Sequence, residues 1–497
     1  MTNLSLASLR LCGSMIFLAL LVSSVNAQTP QATPPPPASP RSGKFPTPAD
    51  QTLPNGLRVI VVERNESPLI SAQLLIKNGG EVDPPELAGL ADMTASLLTK
   101  GTQSRDATKI AEEIESLGGS LDSGARWDSS FASVNVMSPK IQSAMEILAD
   151  VVRHPTFKSE EVERLRQQYL DAFTLAIGDP GSLARMVAAR VVFGDSPYGH
   201  PVSGTSESLT RVTAADIAKM HSRYYRPDNA ILVIGGDINA KDGLALATKF
   251  FGDWQKPATP LPVVSAAMEN ATTARAGRIL VIDKPDAGQA AVYLARTGIN
   301  RKDEDYFRGI VSNSVLSGYS GRLNQEIRIK RGLSYGAGSQ LDARRDVGPF
   351  VASAQTKNES GAAVADLLLG EIGRLSSAPP SDVELTPRKA VLIGNFSRNL
   401  ETVNGLVGQV GSLALYGMGL DEINRYINNV QAISSADIQK FAGTRLDAKT
   451  SNIIIVGNAK VFLPELQKKY PNVEVIPVND LDLNSALLKK KQAGGAD

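Results

Sequence analysis

One pattern occurs twice in this chain, and the repeat constrains the fold more than any other feature of the sequence. Three segments of the first half recur in the second, the first two at offsets of 220 and 221 residues: Arg58–Val62 as Arg278–Ile282, Val212–Ile217 as Ile433–Ile438, and Asn229–Gly235 as Asn452–Gly457. A near-constant offset over so much of the chain predicts two homologous domains that follow each other in the sequence.

The repeat and local composition predict six consecutive spans. They are a signal peptide (1–27), a proline-rich extended linker (28–50), an N-terminal domain (51–258), a second linker (259–275), a C-terminal domain (276–475) and a tail (476–497). We expect the tail to be frayed from about Leu483, because lysines and glycines follow it.

Each domain mixes strand and helix patterns. Leu57–Glu63 and Ile70–Lys77 are rich in β-branched residues and flanked by glycine-containing turns, whereas Glu86–Thr99 places leucines at helical spacing. Glu160–Ala176 is a further predicted helix. The order of elements predicts an α+β fold, in which each domain is an α/β sandwich with an antiparallel-dominated sheet covered by helices.

The N-terminus has the layout of a secretory signal. Arg10 precedes the apolar run Met15–Val25, and small residues end at Ala27, where we expect cleavage. A membrane anchor is the alternative, but a spanning helix needs about 20 apolar residues and this run is shorter. The prediction is a periplasmic or secreted bacterial protein with no membrane span once the signal is removed.

Composition excludes several classes of function. The chain has 52 Lys+Arg against 51 Asp+Glu, which excludes a general electrostatic grip on nucleic acid. Cys12 is the only cysteine, so neither an internal disulfide nor a cysteine metal cluster can form. The three histidines, His154, His200 and His221, have no pairwise spacing typical of metal ligands.

Several short motifs, weak singly, together resemble the pitrilysin/insulinase family of zinc peptidases, the inverzincins, over nearly the whole mature chain. In order along the sequence they are Gly89–Ala91, Lys100–Thr102, Phe193–Pro201, Tyr224–Asn229, Ser320–Leu323 and Arg328–Tyr335. The resemblance, which extends to mitochondrial processing peptidase and two-chain bacterial peptidases, implies two such domains forming half of a clam shell.

The family's catalytic helix carries H-x-x-E-H, in which two histidines bind zinc and the glutamate activates water. In the register set by the flanking motifs, these positions hold Asp92, Ala95 and Ser96, and the third ligand position falls at Ala172. Alanine cannot move a proton and a neutral serine is a poor zinc ligand. We therefore expect no catalytic residue and no metal ligand in this chain.

The resemblance also implies a substrate-binding pair, an Arg and a Tyr seven residues apart, which this chain has at Arg328 and Tyr335. A guanidinium offers a planar fork of donors to a carbonyl or carboxylate, and a tyrosine hydroxyl can donate to an oxyanion. Gly332 allows the turn between them. The alternative is structural: Arg328 as a solvated charge and Tyr335 as half-buried packing.

The resulting hypothesis is a non-catalytic, substrate-binding subunit of a heterodimeric zinc metallopeptidase. Its partner would be a homologous H-x-x-E-H chain that carries the zinc, and its substrate a peptide; this chain alone would be inactive and hold no cofactor. Two alternatives stay open: a structural pseudopeptidase, and a periplasmic peptide-binding homodimer.

Overall fold

The structure is a computed structural model that describes residues 45–262 and 277–490. The predicted signal peptide 1–27, linker residues 28–44 and 263–275, and the last seven residues lie outside the described residues. Among the helices in the described ranges, none is long and apolar enough to cross a membrane.

Twelve described strands form two six-stranded sheets, one in each half of the chain. The first half contains β1 Ala49–Thr52, β2 Arg58–Glu63, β3 Leu69–Ile76, β4 Ser120–Ala125, β5 Ser130–Met137 and β6 Ala230–Gly236. The second half contains β7 Ile279–Asp283, β8 Ala290–Thr297, β9 Ser334–Leu341, β10 Pro349–Thr356, β11 Asn452–Gly457 and β12 Val473–Pro477.

The two sheets share the order of five strands. The first sheet runs β1-β2-β6-β3-β5-β4 and the second runs β12-β7-β11-β8-β10-β9. In both, one inner pair is parallel (β2 with β6, β7 with β11) and the next three pairs are antiparallel. Only the outermost strand differs, since β1 is antiparallel to its neighbour and β12 is parallel. The predicted repeat and α+β class are confirmed.

Sixteen described helices cover these sheets. In the first half they are α1 Leu90–Leu97, α2 Ala107–Ser116, α3 Ile141–Arg153, α4 Ser159–Gly178, α5 Pro180–Phe193, α6 Ser206–Arg211, α7 Ala214–Tyr224 and α8 Ala240–Phe251. In the second half they are α9 Tyr306–Leu316, α10 Arg322–Asn324 (continued by a π-helical turn, Gln325–Lys330), α11 Gly361–Ser377, α12 Asp382–Leu400, α13 Val403–Leu415, α14 Glu422–Ala432, α15 Ser435–Arg445 and α16 Ala459–Lys469.

Each half covers part of its sheet with a helix from the other half. Helix α5 belongs to the first half but packs on β8 and β11, with Val187 and Val191 buried against the second sheet. Helix α13 belongs to the second half but packs on β3 and β6, where Leu406 and Val410 join the core around Val233. This exchange makes each half part of the other's hydrophobic core.

A polar link also joins the halves. The Arg345 guanidinium lies 3.0 Å from the Glu81 carboxylate, and its other Nη donates to the Asp128 carbonyl at 2.7 Å. The Asp128 carboxylate accepts from the backbone N–H of Arg345 (2.8 Å) and from the hydroxyls of Tyr198 and Tyr416. Three elements of the chain therefore converge on one buried aspartate.

Two expectations about the termini are wrong in part. Residues 483–490 are not frayed: Leu483 and Leu488 are buried, and Arg190 of α5 donates to the Leu483 carbonyl at 3.1 Å. The proline-rich linker ends before residue 50, because Ala49–Thr52 pairs with β2 as an edge strand. In both places apolar burial or strand pairing outweighs the local composition. The remaining domain limits stay predictions.

Candidate functional site

Helix α1 carries the residues that occupy the expected metal position, and a buried carboxylate fixes its start. Asp83 accepts hydrogen bonds from the backbone N–H groups of Gly89 and Ala91, both at 2.8 Å. These N–H groups have no partner within the helix, so the Asp83 oxygens satisfy them. Met93 and Leu97 are fully buried and hold the opposite face in the core.

A hydrogen-bond triad occupies the position at which the sequence register predicts the family's metal site. Tyr169 reaches across from α4, and its hydroxyl lies 2.9 Å from Ser96 Oγ and 3.2 Å from Asp92 Oδ2. The other Asp92 oxygen accepts from the backbone N–H of Ala125, at the end of β4, at 3.3 Å. Ala95 is fully buried. We call Asp92, Ser96 and Tyr169 the plug.

The protonation states of the plug residues do not favour the binding of a metal cation. Burial raises the pKa of Asp92, although the contacts from Ala125 and Tyr169 work in the other direction. Burial and the nearby Asp92 charge raise the pKa of the Tyr169 hydroxyl, so it stays neutral. A neutral serine, a neutral tyrosine and one carboxylate do not match the nitrogen and carboxylate ligands of zinc. These residues do not fit the metal.

A metal ion could reach the plug from solvent, so steric access does not exclude it. A cavity of about 420 Å³ lies beside Asp92, lined in part by Arg185, His200 and Gln340. The position is therefore open on one side, and the identity of the plug residues, together with Ala95, decides its chemistry. Within residues 45–262 and 277–490, no group of three His, Cys, Asp or Glu side chains is arranged to hold a metal ion.

The sequence register pointed to Ala172 on α4, but the side chain that fills the position is Tyr169. Ala172 is exposed, whereas Tyr169 lies one helical turn earlier and is half-buried. The signal available in the sequence was a tyrosine three residues before the aligned position, which an α-helix places on nearly the same face. Helix α4, predicted as Glu160–Ala176, spans Ser159–Gly178.

Two of the three histidines have structural roles, and of these His200 is buried and His221 is half-buried. His200 Nδ1 lies 3.0 Å from the Pro201 carbonyl, and His221 Nε2 lies 2.8 Å from the Val152 carbonyl. Burial lowers the pKa of each ring to about 4, so both are neutral at pH 7. His154 is more exposed and lies 3.4 Å from the Asp150 carboxylate.

Arg328 lies in the π-helical turn Gln325–Lys330 rather than in a regular α-helix. Its neighbours Lys330 and Arg331 both pair with Glu326, at 3.0 and 2.9 Å. Arg328 is half-buried and has no carboxylate partner among the described residues; its guanidinium instead faces the Tyr319 ring, 5.6 Å from the centroid. Turns of this kind are often found at functional sites.

Tyr335 is the second residue of β9, an edge strand of the second sheet, and it is 89% exposed. This exposure is contrary to the half-buried packing that was its structural alternative. Gly332 has φ +63°, a conformation that lets the chain leave the π-helical turn and enter β9. Arg328 and Tyr335 thus lie on consecutive elements and both have polar groups free of side-chain acids in the described structure.

The fold and the site together define a peptidase-like chain, with the plug at the metal position that the sequence register predicts. Residues 58–176 match the family described as "Insulinase (Peptidase family M16)", and residues 211–392 match the one described as "Peptidase M16 inactive domain". The two matches together cover more than half of the chain. The protein belongs to the peptidase M16, or insulinase, family, as its motifs indicated.

Two relatives of similar length are named as uncharacterized zinc proteases. An uncharacterized zinc protease of Mycobacterium leprae is 27% identical over 385 residues, which are 76% of this chain and 85% of that protein. The uncharacterized zinc protease YmxG of Bacillus subtilis is 23% identical over 389 residues, which are 77% of this chain and 92% of that protein.

Two solved structures have the same fold. The peptidase M16 inactive domain from Pseudomonas fluorescens superimposes with a TM-score of 0.76 at 26% identity, covering 82% of this chain and 98% of that one. A protease from Helicobacter pylori gives a TM-score of 0.76 at 21% identity, covering 83% and 100%. The second likeness concerns the fold alone.

Proposed function

We propose that this chain is the non-catalytic, substrate-binding subunit of a two-chain zinc metallopeptidase. Its partner is an H-x-x-E-H homologue that carries the zinc, and the substrate is an unfolded peptide that adds as a strand to a sheet edge of the partner. The signal peptide at 1–27 would direct it to the periplasm or the exterior. The chain by itself has no peptidase activity.

One contrast between the two halves carries this proposal. In the first half, the plug residues Asp92, Ser96 and Tyr169 hydrogen-bond to one another. In the second half, Arg328 is free of acidic partners in the described ranges and Tyr335 is 89% exposed. The polar groups of Arg328 and Tyr335 are therefore available to a substrate, whereas those of the plug are not.

The chemistry of the pair suits a peptide bound across a subunit interface. The Arg328 guanidinium would donate to a peptide carbonyl and hold the backbone in place, because its planar fork matches such acceptors. The Tyr335 hydroxyl would donate to the oxygen that becomes negative when the scissile carbonyl is attacked. Water activation belongs to the partner, since Ala95 has no group that accepts a proton.

Arg328 is tested against a control of equal charge. We expect Arg328→Ala to reduce kcat/KM of the assembled complex on a quenched fluorescent peptide by at least 10-fold, because a charged donor to the substrate is lost. Arg331→Ala removes the same charge three residues away, from a side chain already paired with Glu326. Equal losses in both variants would show that only the local positive charge matters, and the assignment would be wrong.

Tyr335 is tested by removing a single hydroxyl. Losing one donor to a developing oxyanion typically costs about 100- to 1000-fold in kcat, so Tyr335→Phe should fall in that range if the hydroxyl acts there. Tyr319→Phe is the control, because Tyr319 is also a largely exposed tyrosine, 72% accessible. Unchanged turnover in Tyr335→Phe, in an active complex, would remove Tyr335 from the site even if the pairing is right.

A further inference from the structure

A second exposed aromatic side chain accompanies the Arg328/Tyr335 pair. Tyr319 is 72% exposed, and the Arg328 guanidinium lies over its ring at 5.6 Å from the centroid. This distance is within the range of a cation–π interaction. Burial does not explain the exposed ring, and the Tyr319 hydroxyl makes no hydrogen bond within the described structure.

A buried arginine hydrogen-bonds to the loop that carries Tyr319. Arg388 of α12 is 6% exposed; it donates to the Ser317 carbonyl at 3.1 Å and to the Ser320 hydroxyl. Gly318 has φ +88°, and a Cβ added there would lie 3.1 Å from the Arg388 guanidinium. The loop backbone is thus fixed although the Tyr319 side chain is exposed.

Asn324 ties this loop to the strand of Tyr335. Its amide nitrogen donates to the Tyr319 carbonyl at 2.7 Å, and its amide oxygen accepts from the backbone N–H of Ala337 in β9 at 3.4 Å. Asn324 is 4% exposed and directly precedes the π-helical turn. One buried side chain therefore sets the mutual position of the segments that carry Tyr319, Arg328 and Tyr335.

We infer that Tyr319 is a positioning residue of the substrate site: its ring holds the Arg328 guanidinium in the orientation that receives the peptide carbonyl. The inference rests on the proposed function, because it assigns Tyr319 a role through Arg328. The ring face supplies the attraction, so the hydroxyl is dispensable. The fixed loop keeps the ring in place before the substrate binds.

The expected effect is modest and specific. An exposed cation–π contact corresponds to about a two- to five-fold change in an equilibrium constant. Because Arg328 grips the substrate in ground and transition states alike, Tyr319→Leu should raise KM by that factor and leave kcat unchanged. Tyr319→Phe keeps the ring and should match the unsubstituted chain.

A kinetic cycle tests the inference in the complex with the H-x-x-E-H partner, on a quenched fluorescent peptide. In the Arg328→Ala background, Tyr319→Leu should have no further effect, since the residue it positions is gone. Additive losses, or an equal defect in Tyr319→Phe, would overturn the positioning role. An active complex in which Arg328→Ala is harmless would refute the proposed function instead.

A second measurement needs no partner. In the chain labelled with ¹³C,¹⁵N-arginine, the Arg328 side-chain NMR signal is identified by its loss in Arg328→Lys. We expect that signal to move in Tyr319→Leu, through loss of the ring current, and to stay in place in Tyr319→Phe. A signal that does not respond to Tyr319→Leu would show that the ring does not hold the guanidinium, whatever the kinetics give.

Discussion

Replacing Tyr169 by phenylalanine tests whether the Tyr169 hydroxyl holds the plug together. The substitution keeps the ring and removes a hydroxyl that bonds Ser96 at 2.9 Å and Asp92 at 3.2 Å. The neutral bond contributes about 1 kcal/mol and the bond to a carboxylate about 1.5–3 kcal/mol. Water from the adjoining cavity replaces part of both, so we expect a net loss of about 2 kcal/mol.

Differential scanning calorimetry at pH 8 measures this loss. For a chain of this length, about 2 kcal/mol corresponds to a decrease of about 2 °C in Tm. Tyr335→Phe is the matched control, because that hydroxyl is on an 89% exposed ring and its removal should change the stability by less than about 0.5 kcal/mol. Equal stability of Tyr169→Phe and the unsubstituted chain would refute the plug.

The stability deficit of Tyr169→Phe should also depend on pH, in a direction that the pKa of Asp92 determines. Burial raises the pKa of Asp92, and the Tyr169 hydroxyl bond is one of the contacts that counteract this rise. Without that bond the folded-state pKa rises further, so charging Asp92 costs more in the variant. The stability deficit of Tyr169→Phe should therefore be larger at pH 8 than at acid pH, where Asp92 is protonated in both proteins.

Two further predictions concern the contacts between the halves. Burial raises the pKa of Glu81 from 4.5 to about 7, so the stabilising contribution of protonated Glu81 is complete below pH 4.5 and is lost as the pH rises through 7. Relative to the unsubstituted chain, Glu81→Gln should therefore gain about 3 kcal/mol of unfolding free energy between pH 4.5 and 8. Urea unfolding measures this difference, and a difference that does not change with pH would contradict the prediction. Leu406→Ala in α13 should cost about 2–5 kcal/mol and speed amide hydrogen exchange in β3 and β6 of the other half, whereas exchange changes confined to the second half would argue against a shared core.

The repeat was visible in the sequence because its strands are local features. The runs at Arg58–Val62 and Arg278–Ile282 are short, β-rich and bounded by turns, and each became an inner strand paired in parallel with its sheet neighbour. The exchange of α5 and α13 was not visible, because both helices are apolar enough for any sheet face. Only tertiary packing decides which sheet each one covers.

The site shows the same division. Loss of the metal ligands could be read at Asp92, Ala95 and Ser96, since it depends on residue identity in a known register. The sequence shows a tyrosine three residues before Ala172, but whether Tyr169 fills the position depends on how far α4 is rotated toward α1, which no local pattern predicts. The contact of Tyr319 with Arg328 was also missed: it arises from a π-helical turn that no periodicity of the sequence predicts.

The most direct measurement is a peptidase assay on a quenched fluorescent peptide library with zinc present. The mature chain is assayed alone, and then together with its co-expressed H-x-x-E-H homologue. We predict activity in the mixture only, lost on chelation and reduced by Arg328→Ala but not by Arg331→Ala. Zinc-dependent activity of this chain by itself would contradict the account, because Ala95 and the plug leave no residue to activate water. A stable complex that cleaves nothing would favour the scaffold.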